Sequence, residues 1–139
     1  MIKIYFYTSI KPGALLIQAF TQSRFSHVAI EVDGFAYEAR YKTGVHKIKE
    51  PGNYTEVIEI EGLKENDMKA FLEAQVGKPY DTKAIFSFMF RHNWEDLKAW
   101  FCSELVAMAL KVGEFKGIPV NVSKISPGEL YNIVIKSLR

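Results

Sequence analysis

The chain has one cysteine among its 139 residues, so no internal disulfide can form and the fold must stand without covalent staples, which a reducing cytosol would tolerate. Histidine is scarce as well. Three histidines and one cysteine without metal-ligand spacing argue against a zinc site, and no cofactor is expected. The longest apolar run, AIFSFMF at 84–90, falls far short of the roughly 20 residues of a spanning helix. Charge of one sign is also lacking, since 18 Lys and Arg against 16 Asp and Glu leave a net charge of +2. No binding of nucleic acid or of an anionic membrane follows from that. The nearest thing to a basic patch, Lys42, Lys47 and Lys49, reads as a solvated loop and strand face. The opening MIKIYFYTS lacks the basic region, long apolar run and cleavage site of a secretory signal. These absences lead us to expect a soluble protein without signal peptide or transmembrane segment, either cytoplasmic or released on lysis.

What is present is an ordinary globular composition, 48% hydrophobic and 24% charged. The length suits one domain over residues 1–139 with a single core. No repeat, low-complexity tract or linker interrupts it. Residues 2–7 (IKIYFY) are β-branched and aromatic, as strands are, and a short helix is expected at about 13–22 after Pro12-Gly13. HVAIEV and FAYEAR flank Asp33-Gly34, a strong hairpin signal, and VHKIKE and TEVIEIEG alternate as further strands. From Lys64 the period changes to about 3.6. Met68, Phe71 and Leu72 share a helix face that Gly77 ends, and Asp81 can cap a helix through AIFSFMF. Cys102, Leu105, Val106, Ala109 and Leu110 make the stripe of another helix, ending at Gly113. A last helix begins near Ser126-Pro127. Strands followed by helices predict an α+β domain, a mostly antiparallel sheet packed against helices.

A two-residue Asp33-Gly34 loop pairs Val32 with Phe35, Ile30 with Tyr37 and Ala29 with Glu38. Alternation then puts His27, Ala29 and Glu31 on one face with Ala36, Glu38 and Arg40. Glu38 becomes diagonal to His27, at a Cβ separation of about 7 Å. A carboxylate there can hold one ring nitrogen while the other faces a nucleophile, as in a nucleophile, base and orienter set. The structural reading of the same pair is an exposed cross-strand contact contributing about 0.2–1 kcal/mol. Cys102 also reads two ways. It lies on an apolar stripe, where free cysteines are commonly buried. A position at the helix start would instead offer unpaired N–H groups and the positive dipole end to a thiolate or an oxyanion. His46 is an alternative third member, although its strand register is unfixed and a solvent-facing role is the stronger reading, and His92 in RHNWED reads as a loop residue. Phe86, Phe88, Met89, Phe90, Trp94 and Trp100 are expected in the core or in a cleft wall.

SHVAIEVDG followed by YEA, GKPYD with AIF, FCSELVAMAL and ISPGEL together resemble the permuted branch of the NlpC-like cysteine peptidases, within the papain-like superfamily. His27 precedes Cys102 by 75 residues, the reverse of the ordinary papain-like order and the order of the permuted branch. The resemblance covers residues 25–131. It implies a circularly permuted papain-like fold, with Cys102 as nucleophile, His27 as base and Glu38 as polar third member. It also implies a thiol hydrolase or amidase acting on peptide amides, including those of cell walls. One departure is Lys11-Pro12-Gly13-Ala14, where many permuted members carry Gly-Asp. A related group transfers acyl chains from lipids, so a lipid-directed acyltransferase or thioesterase is the enzymatic alternative. An interaction module that keeps the fold without turnover is the third reading.

Overall fold

Alternating apolar residues in five short segments build one antiparallel sheet, and the computed structural model describes it within residues 1–8, 25–40, 44–78, 94–119 and 125–138. The strands are β1 (Ile2–Tyr7), β2 (His27–Val32), β3 (Phe35–Arg40), β4 (Gly44–Ile48) and β5 (Glu56–Ile60). They lie in the order β4-β3-β2-β1-β5. The hairpin between β2 and β3 closes as the sequence predicts, with Asp33 at φ 54° and Gly34 at φ 82°. Two positive φ values define a type I′ turn, whose twist matches that of the strands it joins. The register follows: Ile30 faces Tyr37, Glu31 faces Ala36 and Val32 faces Phe35.

One face of the sheet is the core. Ile2, Ile4, Phe6, Val28, Ile30 and Tyr37 are fully buried there. Helix α1 (Glu65–Gln75) adds Met68 and Leu72, and α2 (Trp94–Val112) adds Cys102, Val106, Ala109 and Leu110. Burying each Leu or Val side chain contributes about 1.5–3 kcal/mol, which α2 repeats at helical spacing against β2 and β3. Helix α3 (Pro127–Ser137) packs on α2. Its Ser126 Oγ accepts from Glu129 N–H at 3.1 Å, with Pro127 in the first turn, as read from the sequence. Ser103 Oγ donates to the Ile125 carbonyl and so ties this segment to the residue beside Cys102.

After α1, Gly77 takes φ 85° and its N–H donates to the Val45 carbonyl at 2.8 Å. The helix end is thereby stitched to β4, next to His46. Tyr37 Oη and Lys47 Nζ both donate to Glu73 Oε1, at 2.7 and 2.8 Å, which adds side-chain ties from α1 to β3 and β4. Among the described residues no helix is long and apolar enough to cross a membrane. The helices expected at 13–22 and through 84–90, together with Lys42, Tyr80, Asp81 and His92, lie outside the described residues, as do the side chains of Trp94 and Trp100.

One expectation is corrected. Cys102 is not at a helix start, because α2 begins at Trp94 and Cys102 is the ninth of its 19 residues. The stretch from 94 to 112 holds no glycine or proline, and Glu95, Leu97, Lys98 and Ala99 suit a helix, so nothing stops the helix from extending upstream of the apolar stripe. Two turns in, the N–H of Cys102 belongs to the helix ladder and the terminal dipole effect has faded. Neither is available to the sulfur at this position.

Candidate active site

His27 is the first residue of β2, paired across from Tyr7, the last residue of β1. Ser26 holds this end in place, its N–H donating to the Tyr7 carbonyl at 2.9 Å. The His27 ring therefore sits at the end of the sheet. Its Nε2 meets Glu38 Oε2 at 2.7 Å, which matches the diagonal contact expected from the hairpin register. An ionised carboxylate only accepts, so Nε2 carries the proton and donates. That assignment leaves Nδ1 for the hydrogen bond that His27 also makes with the Cys102 side chain. The tilted ring of Tyr7 lies 5.3 Å from the imidazole, centroid to centroid. Tyr7 Oη donates to the Pro51 carbonyl at 2.5 Å, which fixes the ring against the histidine.

Glu38 is the hub of the cluster. Its side chain keeps only 4% of its accessible surface, and three nitrogens reach it: His27 Nε2 on Oε2, with Arg40 Nε and His46 Nε2 both at 2.8 Å from Oε1. His46 is directly across from Glu38 in the β3–β4 ladder. A buried carboxylate survives only when so partnered. Burial alone would raise the Glu38 pKa, but the bonds from His27 and Arg40 outweigh it and hold the carboxyl at about 2. For His27, burial opposes the charged ring, yet the Cys102 sulfur and then Glu38 push it up to about 9. At neutral pH the ring is therefore an imidazolium held between Cys102 and the Glu38 carboxylate. The Tyr7 hydroxyl is raised by burial and then by the Glu38 charge, so it stays protonated.

The structure thus joins Cys102, His27 and Glu38, the three residues singled out in the sequence. His46 binds Glu38 Oε1, so it supports the carboxylate that holds His27. Its side chain stays 32% exposed while making that bond, so the solvent-facing reading holds in part. Two participants escaped the sequence reading. Tyr7 was hidden because nothing local announces that β1 ends opposite His27, although period-two alternation does put Lys3, Tyr5 and Tyr7 on one face. Arg40 was visible only as sharing a face with Glu38. The Cys102 side chain is fully buried, so any carbonyl substrate reaches the sulfur only through an opening of the surrounding structure. Among the described residues, no group of three or more His, Cys, Asp or Glu side chains is placed to hold a metal ion.

Searches against protein-family models, curated proteins and solved structures return no match to this chain.

Proposed function

We propose that the chain is a cysteine hydrolase of the permuted papain-like kind, cleaving amide bonds of peptides, cell-wall peptides included. The observation that carries this reading is the His27 ring, bound at once to Glu38 at 2.7 Å and to Cys102. A histidine held by a carboxylate on one nitrogen and a thiol on the other is arranged for nucleophilic catalysis. The Cys102 sulfur, its proton on His27, attacks the carbonyl carbon and forms a C–S bond. As the tetrahedral intermediate collapses, the C–N bond breaks and the His27 proton goes to the leaving amine. Water then attacks the thioester, His27 takes its proton, and the acid leaves as the thiol is restored. Glu38 keeps the ring in one tautomer and stabilises its charged form throughout.

Supporting the reading are the His-before-Cys order and the antiparallel sheet that positions His27 and Glu38. The interior helical position of Cys102 departs from the pattern, since the positive helix end is then not at the sulfur. His27 and Arg40 supply the local positive charge instead. Full burial of Cys102 favours a second reading, a domain of this fold that binds without turnover. A chromogenic ester separates them. With p-nitrophenyl acetate the hydrolase reading expects a burst of nitrophenolate and one acetyl group on Cys102 by mass spectrometry, both lost in Cys102→Ser. An unmodified Cys102, with release unchanged in Cys102→Ser, would leave the binding module standing.

A further inference from the structure

Arg40 closes β3 two residues beyond Glu38, on the same face of the sheet. Its Nε donates to Glu38 Oε1 at 2.8 Å, yet the side chain is 61% exposed. One edge of the guanidinium is therefore fixed by the buried carboxylate while the rest faces outward. Cys102 and Tyr7 are both close enough to act on its charge. Glu38 links Arg40 to the His27 ring, which in turn meets Cys102, so the exposed guanidinium adjoins the site through that chain of contacts. A planar fork with two outward N–H groups matches a carboxylate in bidentate fashion, and Nε anchoring pre-orients it.

Resting on the hydrolase reading of this site, we infer that Arg40 is a specificity residue that receives a carboxylate carried by the peptide substrate close to the scissile bond. A residue serving only to hold Glu38 would act equally on charged and neutral reagents. One that receives an anion discriminates between them.

Iodoacetate and iodoacetamide provide the test, because they are nearly the same size and both alkylate the Cys102 sulfur with release of iodide, but only the first is an anion. Any effect of Arg40 passing through Glu38, His27 or the opening to the sulfur enters both rates and cancels in their ratio. Arg40→Gln should lower the iodoacetate-to-iodoacetamide ratio at neutral pH by about fivefold, as expected for loss of one nearby, partly screened charge. Arg40→Lys, which keeps the charge and loses the fork, should give a ratio between those of the parent and Arg40→Gln, and salt should reduce it in the parent more than in Arg40→Gln. A ratio unmoved by Arg40→Gln, with both reagents still labelling Cys102, overturns the inference and spares the hydrolase reading. Failure of both reagents to label Cys102 in the parent overturns both. If inorganic phosphate slows the iodoacetate reaction while acetate at equal ionic strength does not, the anion is a phosphate and the carboxylate assignment falls.

Discussion

Glu38→Gln removes one negative charge from a buried site and leaves nearly the same shape. Glutamine can still touch His27, His46 and Arg40, but it cannot balance an imidazolium. Two figures give the magnitude. Glu38 is held at about 2 against an ordinary 4.5, and His27 is pushed up to about 9 against an ordinary 6.5. Each displacement corresponds to about 3 kcal/mol at 1.36 kcal/mol per pKa unit. The two share the His27–Glu38 contact, but Cys102 comes before Glu38 in raising His27 and Arg40 helps to lower Glu38, so they are not added and a loss of about 2–3 kcal/mol is expected at pH 5–6.

The pH dependence is the sharper part of this prediction. A carboxylate with a depressed pKa contributes stability that is present above its unfolded value of 4.5 and lost as pH falls through about 2. A histidine with a raised pKa contributes stability that is full below 6.5 and lost as pH rises through about 9. The stability difference between parent and Glu38→Gln should therefore be widest between about 4.5 and 6.5 and narrow on both sides. Urea denaturation of the two proteins at a series of pH values measures it. A difference that stays constant from pH 3 to pH 10 would refute the buried ion pair.

Three further outcomes follow from the same geometry. Gly34→Val places a β-branched residue at φ 82° in the type I′ turn and should cost about 1–3 kcal/mol of stability while touching no chemical group; an unchanged thermal midpoint would remove the basis of the hairpin register. Tyr7→Phe loses the bond to Pro51 at 2.5 Å but keeps the ring against His27, so it should cost about 1 kcal/mol and leave thiol reactivity nearly intact; a large drop in reactivity would give the hydroxyl a direct role. His46→Gln can still bond Glu38 Oε1, so it should lower the His27 titration midpoint, followed by NMR, far less than Glu38→Gln does. An equal or larger shift would make His46 the true partner of the base.

The parts of the fold that could be read from the sequence are those set by local pattern. Period-two alternation marks four strands and β-branched and aromatic composition marks β1, while Asp33-Gly34 fixes one register because only residues tolerant of positive φ close that turn. The His27–Glu38 contact was legible for the same reason, being a consequence of two residues and a turn length. His46 opposite Glu38 was not, since β3 and β4 are joined through residues 41–43 without a comparable turn signature, and a slip of one residue would have put His46 on the other face. The start of α2 was misplaced because the apolar stripe begins at Cys102, whereas helix propensity continues upstream without a breaker. The meeting of His27 with Cys102 joins residues 75 positions apart in the chain. No spacing rule reports such a contact; only the family resemblance pointed to it.

The central claim is that His27 activates Cys102, and the most direct test is the rate of Cys102 alkylation by iodoacetamide at pH 7 in the parent and in His27→Gln. Glutamine fills a volume close to that of histidine, so a matching circular dichroism spectrum would show that the fold is kept. The account predicts a single modified residue, Cys102, and a rate at least about tenfold lower in His27→Gln, as loss of a positioned base and its positive charge requires. Equal rates in the two folded proteins would contradict it, and Cys102 would then be a structural thiol.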